Sequence, residues 1–336
     1  MARIVDSEVC LSNLEENLTN YKLVMKTIVL ACDLGGTNVR MAAIDREGQI
    51  LYRTRRETPK SDRADEIVRT IVEQANECIE ATKSEGIVKA IAAAVPATVS
   101  VEKGILMKAP NVPCLDGFRM VAALESELNI KAMIENDANS AAVGENWMGA
   151  SKGFRNSIMV TLGTGVGGGI IINGTVLRGI DGTAGEIGHI CVEPFGALCG
   201  CGSRGCVEQY ASATAVVRLT REMEPQYPKS VLQNKHRLTS ADVYEAGQNG
   251  DELALEVFRQ MGFYLGIALV DLINILNPEV IVIGGGAAAG WDLFIHHIED
   301  QIRSRAFLEP GMRAKIVRAV LGDDAGILGA AHGAFE

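Results

Sequence analysis

The chain has 336 residues and a formal net charge of −10 at pH 7. This charge disfavours a nucleic-acid partner, because a phosphate backbone is bound mainly by Lys and Arg. The length predicts two domains, since single hydrophobic cores seldom grow beyond about 250–300 residues. We find neither a signal peptide nor a run of the roughly 18 apolar residues that a membrane span requires, and we therefore expect a cytoplasmic protein with no membrane partner.

The first predicted elements form a β-meander. Residues 27–51 contain an apolar strand, a glycine turn at 34–37, an alternating strand, a polar turn at 46–49 and a further strand. We expect residues 1–26 to be an N-terminal extension, in which Met25 is a second candidate for the natural start.

Helices and strands alternate after this meander. Apolar residues at helical spacing predict a helix over Ala64–Thr82, and an apolar run from Gly86 predicts a buried strand that ends in a loop at Pro96. The next predicted elements are a helix over Met120–Leu128, a short strand over 132–134 and a helix over 138–147, which begins just after Asn136 and Asp137.

A glycine-rich segment, TLGTGVGGGIIINGT (161–175), follows a short apolar strand over 157–162. It contains the G-x-G-x-x-G spacing of a dinucleotide-binding loop, at Gly163, Gly165 and Gly168. That motif requires a helix after the glycines. The residues after Gly169 instead alternate like a strand and turn at Asn173-Gly174, which is typical of a tight hairpin. This pattern disfavours a dehydrogenase, although backbone N–H groups in such a loop can still bind phosphate.

The two glycine turns, at 34–37 and 162–165, occupy equivalent places in two copies of one pattern. Each turn follows an apolar strand and precedes an alternating one. Two half-chains of this kind predict duplicated domains that face each other across a nucleotide.

The C-terminal part contains three further predicted elements. A helix over 251–276 is stopped by Pro278, and a buried strand over 279–286 ends in a third glycine loop. A small-residue helix follows over 323–335, with Asp323 or Asp324 expected at its N-cap.

Seven segments, in this order, resemble the ROK family of sugar kinases (repressors, open reading frames and kinases) within the actin/hexokinase-like superfamily. They are DLGGTNVR (33–40), APNVP (109–113), ENDANSAAVGE (135–145), TLGTGVGGG (161–169), GTAGEIGHI (182–190), CGCGSRGCVEQYAS (199–212) and NPEVIVIGGG (277–286). The resemblance implies an α/β fold of two actin-like (ribonuclease H-like) domains with an interdomain cleft and a small zinc knuckle. It also implies ATP-dependent phosphorylation of a hexose at its 6-hydroxyl, with glucose as the expected substrate, and a homodimer or homotetramer.

The expected division places residues 27–136 and 323–336 in an N-terminal actin-like domain. Residues 137–322 then form the C-terminal domain, which contains the zinc knuckle over 189–206. In this architecture the last helix should cross back onto the first domain.

Phosphoryl transfer requires the protein to position its substrates and to stabilise charge. Glycine lets the main chain approach a phosphate closely, and Asp33, at the end of a strand, is suited to hold the Mg²⁺ of ATP directly or through water. The alternative interpretation of the loops is ordinary hairpin turns. The candidate residues for ATP or phosphate are Asp33, Gly35, Gly36, Thr37, Asn38, Gly163, Thr164, Gly165, Gly284, Gly285 and Gly286.

The attacking sugar hydroxyl must lose a proton, which a carboxylate in the cleft can accept. Asp137, in ENDAN, falls on the ROK position of the catalytic base, and the alternative interpretation is a helix N-cap. The resemblance also implies sugar contacts from Asn111, Asn136, Asp137, Glu186, His189 and Glu208.

One imidazole and three thiolates, from His189, Cys199, Cys201 and Cys206, match a tetrahedral structural zinc site. If one ring nitrogen of His189 binds the metal, the other carries a proton, and we expect it to donate to the sugar. A disulfide or a redox switch is the alternative, and a reducing cytosol disfavours the former.

Three other functions stay open at this point: a kinase for N-acetylmannosamine or another hexose, a ROK transcriptional repressor, and the dehydrogenase. A repressor would need a helix-turn-helix domain ahead of the first glycine turn, where only 32 residues precede Asp33. The donor could be ATP or polyphosphate. In place of the usual family loop G-x-P-G, this chain has AVPA (94–97), whose two extra methyl groups would narrow the sugar pocket or shift the sugar preference if the loop approaches the sugar closely.

Overall fold

The computed structural model describes residues 25–336, so the predicted extension over 1–26 lies almost entirely outside the described residues. In chain order the strands are β1 (Lys26–Leu34), β2 (Asn38–Asp45), β3 (Ile50–Glu57), β4 (Gly86–Val95), β5 (Thr98–Ser100), β6 (Ile105–Lys108), β7 (Lys131–Asn136), β8 (Ser157–Leu162), β9 (Val166–Ile172), β10 (Thr175–Val176), β11 (Val280–Gly284) and β12 (Lys315–Arg318). The helices are α1 (Ala64–Thr82), α2 (Met120–Leu128), α3 (Asp137–Met148), α4 (Glu208–Ala211), α5 (Ala213–Met223), α6 (Ser240–Gln248), α7 (Glu252–Leu276), α8 (Trp291–Arg305), α9 (Leu308–Arg313) and α10 (Ala325–Phe335).

Two five-stranded sheets repeat one topology. The first has the strand order β3-β2-β1-β4-β7, and the second has the order β10-β9-β8-β11-β12. In each sheet an antiparallel meander of three strands is extended by two strands parallel to its first strand. The duplication predicted from the two glycine turns is therefore confirmed. Asn173 and Gly174 both have positive φ and join β9 to β10 in the predicted hairpin.

Each sheet buries one face under helices of its own half of the chain. Alternate residues of β1, from Ile28 to Leu34, pack with apolar residues of α1 and α2. In the second sheet, Ile158 and Val160 of β8 belong to a larger core that includes α5, α6, α7 and α8. These helices therefore cover one of the two faces of each sheet.

The other two faces are covered by α10 and α3, which also contact each other. Helix α10 packs on the alanine-rich face of the first sheet, and α3 packs on the second. A Cβ atom at Gly329 of α10 would overlap the carbonyl oxygen of Ser140, and one at Gly144 of α3 would overlap that of Ala325. Glycine is required at both positions because the two helix backbones touch. The last helix returns to the first sheet as predicted, whereas the exact domain boundaries stay a prediction.

A buried carboxylate holds the chain that leads into α10. Glu145 of α3 is fully buried, and its Oε1 accepts hydrogen bonds from the backbone N–H groups of Val320 (3.0 Å) and Leu321 (2.9 Å). Its Oε2 accepts one from the N–H of Ala150 (2.7 Å). These three donors satisfy a charge that would otherwise be costly to bury, and they fix where the chain crosses from the second sheet to the first.

Most predicted elements are present. The helices over Ala64–Thr82 and Met120–Leu128 have the predicted bounds, whereas α4, α5, α6, α8 and α9 were not predicted. The prediction that Asp323 or Asp324 is the N-cap of the last helix is confirmed at Asp324. Its side chain makes no capping hydrogen bond and pairs with Arg53, while Asp323 pairs with Arg40.

Helix α7 is a long apolar helix that the search of the sequence for membrane spans did not identify. By length and composition it is apolar enough to cross a membrane, but most of it is buried within the protein. Such burial is the pattern of a core helix, and the helix belongs to the second core.

The contact between α3 and α10 generates a matched pair of substitutions within one helix. Gly329→Ala places a methyl group against the Ser140 backbone, and we expect a loss of about 1–3 kcal/mol in the free energy of unfolding, as for overpacked cores. Gly333→Ala meets only the sulfur of Met133, at 3.9 Å, so we expect no loss or a gain of up to about 1 kcal/mol from helix propensity. Urea denaturation of both variants measures the difference, and equal stabilities would contradict the packing described.

Candidate functional site

The carboxyl ends of the parallel strands lie at one edge of each sheet. In the first sheet, Asp33 is near the end of β1, Pro96 follows β4, and Asn136 ends β7. In the second sheet, the glycine turns follow β8 and β11, which are also parallel neighbours. Ligands of open α/β sheets bind at this edge, so the fold itself brings the predicted residues together.

A pocket of about 180 Å³ lies at this edge, between the first sheet and the loop after β10. It is smaller than pockets for drug-sized ligands, which measure about 300–1,000 Å³. Four predicted site residues line it: Asn111, Asn136, Asp137 and Glu186. Further lining residues that the sequence did not single out include Thr98, Asn139, Gly182, Ala184 and Gly185. His189 and Glu208 do not line it.

Asn136, rather than Asp137, is the N-cap of α3. Its side-chain oxygen accepts hydrogen bonds from the N–H groups of Ala138 (2.9 Å) and Asn139 (3.1 Å). Its amide nitrogen donates to the carbonyl of Ala97 (3.2 Å) and to Oδ1 of Asp137 (3.1 Å). The alternative interpretation of Asp137 as the cap is therefore wrong, and Asn136 holds the Asp137 carboxylate at the first helical position.

Asp137 is exposed towards the pocket, whose walls lie close around its carboxylate. Burial raises its pKa to about 6, and the nearby charge of Asp33 adds to the rise, against a hydrogen bond from the N–H of Ala138. A carboxylate with this pKa is largely ionised at neutral pH and is a stronger base than an ordinary aspartate. Perturbation of this kind in a concave site is typical of a functional residue.

Asp33 lies beside a guanidinium group. Oδ2 of Asp33 is 3.8 Å from Nη1 of Arg40, whose Nη2 is 2.9 Å from Oδ2 of Asp323. Burial raises the pKa of Asp33 and Asp323 contributes in the same direction, while Arg40 opposes it. A partly buried carboxylate with one distant cationic neighbour fits a Mg²⁺ ligand, because magnesium prefers oxygen ligands and retains several waters.

Three glycine loops follow strands at the carboxyl edges of the two sheets: loop 1 (35–37), loop 2 (163–165) and loop 3 (284–286). A Cβ atom at Gly36 would lie 3.7 Å from Cβ of Asn111, so loop 1 borders the pocket. Loop 3 presses on the end of β8, since a Cβ at Gly285 would meet the backbone of Leu162. Gly163 and Gly286 have no atom within 4 Å of their would-be Cβ atoms, which leaves open space beside both loops.

Two predicted site residues are engaged by neighbouring parts of the fold. Oε2 of Glu208 accepts a hydrogen bond from the N–H of Val166 (3.1 Å), directly after loop 2, and it fills the space that a side chain at Gly165 would need. Oδ1 of Asn38 accepts from Nε of Arg55 (3.0 Å) on β3. In this structure Glu208 therefore supports loop 2, while a sugar contact from it stays a prediction.

The four predicted metal ligands form one cluster. Their ligand atoms, in His189, Cys199, Cys201 and Cys206, all lie within 4.8 Å of one another. A tetrahedral zinc site requires separations of about 3.8 Å between sulfurs and about 3.5 Å between nitrogen and sulfur, given its usual bond lengths. The Sγ atoms of Cys201 and Cys206 are 3.7 Å apart, as are Nδ1 of His189 and Sγ of Cys199. The donor set and its spacing fit zinc, and the sulfur separation is too long for a disulfide bond of about 2.05 Å.

The two ring nitrogens of His189 point to different neighbours. Nδ1 faces the thiol of Cys199, while Nε2 is 4.0 Å from Oε2 of Glu186, which lines the pocket. The metal cluster is therefore joined to the pocket through the short helical turn Ile187–His189. This orientation agrees with a metal on one nitrogen and a polar partner on the other.

The altered loop AVPA does not narrow the pocket with its methyl groups. Ala94 is fully buried in the face covered by α10, and the side chain of Ala97 belongs to the core of the first sheet. Pro96 and Thr98 are the members of this region that line the pocket. The expectation of a narrower pocket is thus not met.

The chain belongs to the ROK family, whose model matches residues 29–334. It is 38% identical over 303 residues to a glucokinase of Halalkalibacterium halodurans, an alignment that covers 88% of this chain and 92% of the relative. The crystal structure of a ROK family glucokinase from Streptomyces griseus, in complex with glucose and AMPPNP, is 33% identical and superposes with a TM-score of 0.77 over 90% of this chain and 98% of that one. A xylose repressor of Caldicellulosiruptor bescii is 25% identical, covering 90% of this chain and 76% of the repressor.

The raised pKa of Asp137 predicts a pH-dependent effect on stability. Because the folded pKa of about 6 exceeds the ordinary 3.8, the protonated form stabilises the fold, and this contribution is lost as the pH rises through 6. Asp137→Asn, which does not titrate, should therefore melt at a higher temperature than the wild type at pH 8. The advantage should shrink below pH 6 and vanish near pH 4. Thermal scans across this range measure it, and a pH-independent difference would contradict the assignment.

Proposed function

We propose that the protein transfers the γ-phosphoryl group of ATP to the 6-hydroxyl of glucose. The observation that carries the proposal is the carboxylate of Asp137, which opens into a small polar pocket bordered by glycine loop 1. The ROK glucokinases that the chain resembles over most of its length support the same reaction. A pocket of about 180 Å³ suits a monosaccharide rather than a large ligand.

Asp137 is the general base of this reaction. Its raised pKa of about 6 matches it to accept the hydroxyl proton at neutral pH, while most of the population is still ionised. The N-cap contacts of Asn136 hold the carboxylate in place, so that little ordering is required when the sugar binds. Asn111 and Glu186, which line the same pocket, would orient the remaining sugar hydroxyls.

The glycine loops receive the phosphates of ATP. Loop 2 and loop 3 are neighbours at the carboxyl edge of the second sheet, and both have open space beside a glycine. Their backbone N–H groups can approach phosphate oxygens without obstruction by side chains. Asp33 would hold the Mg²⁺ that accompanies ATP, and this ion would neutralise charge that develops on the transferred phosphoryl group.

The cluster of His189, Cys199, Cys201 and Cys206 holds a structural zinc ion in this proposal. Its task is to fix the segment from Glu186 to Glu208, which borders the pocket at one end and supports loop 2 at the other. A homodimer or homotetramer, and a cytoplasmic location, remain expectations for the family.

A panel of sugars and donors in an ADP-release assay tests the function. Glucose should give a higher kcat/KM than N-acetylmannosamine, and the Asp137→Asn variant should lower kcat by at least about 10²-fold while it still binds glucose. A higher kcat/KM for N-acetylmannosamine than for glucose would show that glucose is not the preferred substrate. Turnover by Asp137→Asn close to that of the wild type would remove Asp137 from its role.

Zinc content separates the proposed ligands from a neighbouring cysteine. Cys201→Ser and His189→Ala should each lose bound zinc and raise the KM for glucose more than the KM for ATP, with the larger loss for His189→Ala. Cys191→Ser is the matched control, because Cys191 is exposed and lies outside the cluster. Elemental analysis and titrations measure these effects. A zinc-free preparation with an unaltered glucose KM would restrict the metal to a stabilising role.

A further inference from the structure

An ion pair links the strand before Asp137 to the loop that carries Glu186. Nε and Nη2 of Arg178 both donate to Oε2 of Glu135, at 2.9 Å and 2.6 Å. Glu135 is the residue before Asn136 on β7 of the first sheet, whereas Arg178 follows β10 of the second. The pair therefore bridges the two sheets close to the pocket.

The second oxygen of Glu135 is engaged on the catalytic side. Oε1 accepts hydrogen bonds from the backbone N–H of Asn136 (3.0 Å) and from Nδ2 of Asn139 (3.2 Å). Each oxygen of one carboxylate thus has its own partners, with Arg178 on one side and the start of α3 on the other. The side chain of Glu135 is only 15% exposed, which shields the ion pair from the solvent screening that weakens surface pairs.

Arg178 also anchors the loop that closes the pocket. Its backbone carbonyl accepts a hydrogen bond from the N–H of Ala184 (3.2 Å), which closes the loop between them. Within this loop, Gly182 lies against the carbonyl of Val99 on β5. Ala184, Gly185 and Glu186, at the end of this loop, line the pocket. The Arg178 backbone is therefore bonded to Ala184, the first of the three residues that line this wall of the pocket.

Asn139 is a buried residue that Glu135 orients beside the pocket. It is 2% exposed, its Nδ2 is held by Glu135, and its Oδ1 has no hydrogen-bond partner among the described residues. Oδ1 lies 4.0 Å from the would-be Cβ of Gly185, beside the pocket that both residues line. Glu135 thus orients a buried acceptor towards the pocket wall.

We propose that Glu135 and Arg178 are a positioning pair, which sets the distance between Asp137 and the pocket wall that ends at Glu186. Neither residue touches the reacting atoms. Glu135 holds the start of α3 through Asn136 and Asn139, and Arg178 holds the wall. The inference rests on the proposed hexose phosphorylation, because the distance between Asp137 and Glu186 affects catalysis only if both residues contact the same bound sugar.

The substitutions separate the two ends of the pair. Arg178→Ala removes the bridge, and Arg178→Lys keeps the charge without the paired N–H donors. Glu135→Gln offers one oxygen and one amide, so it can satisfy only one of the two sides. Arg303→Ala is the matched control, since Arg303 forms an exposed ion pair with Asp300 on α8, with 72% and 57% of the side chains exposed.

Steady-state kinetics distinguish a positioning role from a general loss of folded structure, because the two affect kcat for glucose and the KM for ATP differently. We expect Arg178→Ala to lower kcat for glucose by at least about tenfold, while the KM for ATP changes by less than about twofold, because misplacement affects the step at the sugar. Arg178→Lys should recover part of the loss, and Arg303→Ala should match the wild type. The double variant Glu135→Gln/Arg178→Ala should lose little more than the worse single variant, as coupled residues do.

Hydrogen–deuterium exchange supplies a readout that needs no turnover. Amides of residues 178–186 should exchange faster in Arg178→Ala than in the wild type or in Arg303→Ala. Wild-type kcat in Arg178→Ala, independent and multiplicative losses in the double variant, or unchanged exchange over 178–186 would each overturn the positioning pair. Failure of the wild type to phosphorylate any hexose would instead refute the proposed function, and the exchange result would still report on the pair.

Discussion

The direct contact between the backbones of α3 and α10 is the constraint on which the rest of the structure depends. Each helix covers one sheet, and glycines at Gly144 and Gly329 let the two helices touch. Glu145 fixes the chain that enters α10, so that the crossing point is set by hydrogen bonds as well as by shape. Because the sheets are related through this contact, the carboxyl ends of their parallel strands open towards a common region, where the pocket and the glycine loops lie.

This arrangement also creates the electrostatics of the site. Asp33 lies near the end of β1 and Asp137 follows β7 of the same sheet, and the charge of Asp33 adds to the effect of burial in raising the pKa of Asp137. Such a pair is costly for stability and useful for chemistry, since a base of pKa about 6 can accept a proton at neutral pH. The N-cap contacts of Asn136 and the ion pair between Glu135 and Arg178 hold the segments next to Asp137 in place.

Much of this architecture is predictable from sequence where local patterns determine it. The glycine turns, the Asn173-Gly174 hairpin and helix α1 follow from periodicity and turn chemistry, and the resemblance to the ROK family supplied Asp137 and the four metal ligands. The helices α4, α5, α6, α8 and α9 were missed, although two of them carry local N-cap signals in the sequence: Ser212 before α5, and the capping box of Thr239 and Asp242 at α6. Long-range contacts were not predicted, since nothing in the sequence near Arg178 indicates that it pairs with Glu135. The sequence also does not show that the methyl groups of Ala94 and Ala97 point into the core.

A crystal structure with glucose and a non-hydrolysable ATP analogue bound would test the central claim most directly, through the distance from the Asp137 carboxylate to the glucose 6-hydroxyl oxygen. We predict hydrogen-bond contact at about 2.6–3.2 Å, with the γ-phosphate on the opposite side of that oxygen and beside the glycine loops. A 6-hydroxyl bound away from Asp137, with another side chain as its proton acceptor, would contradict the account.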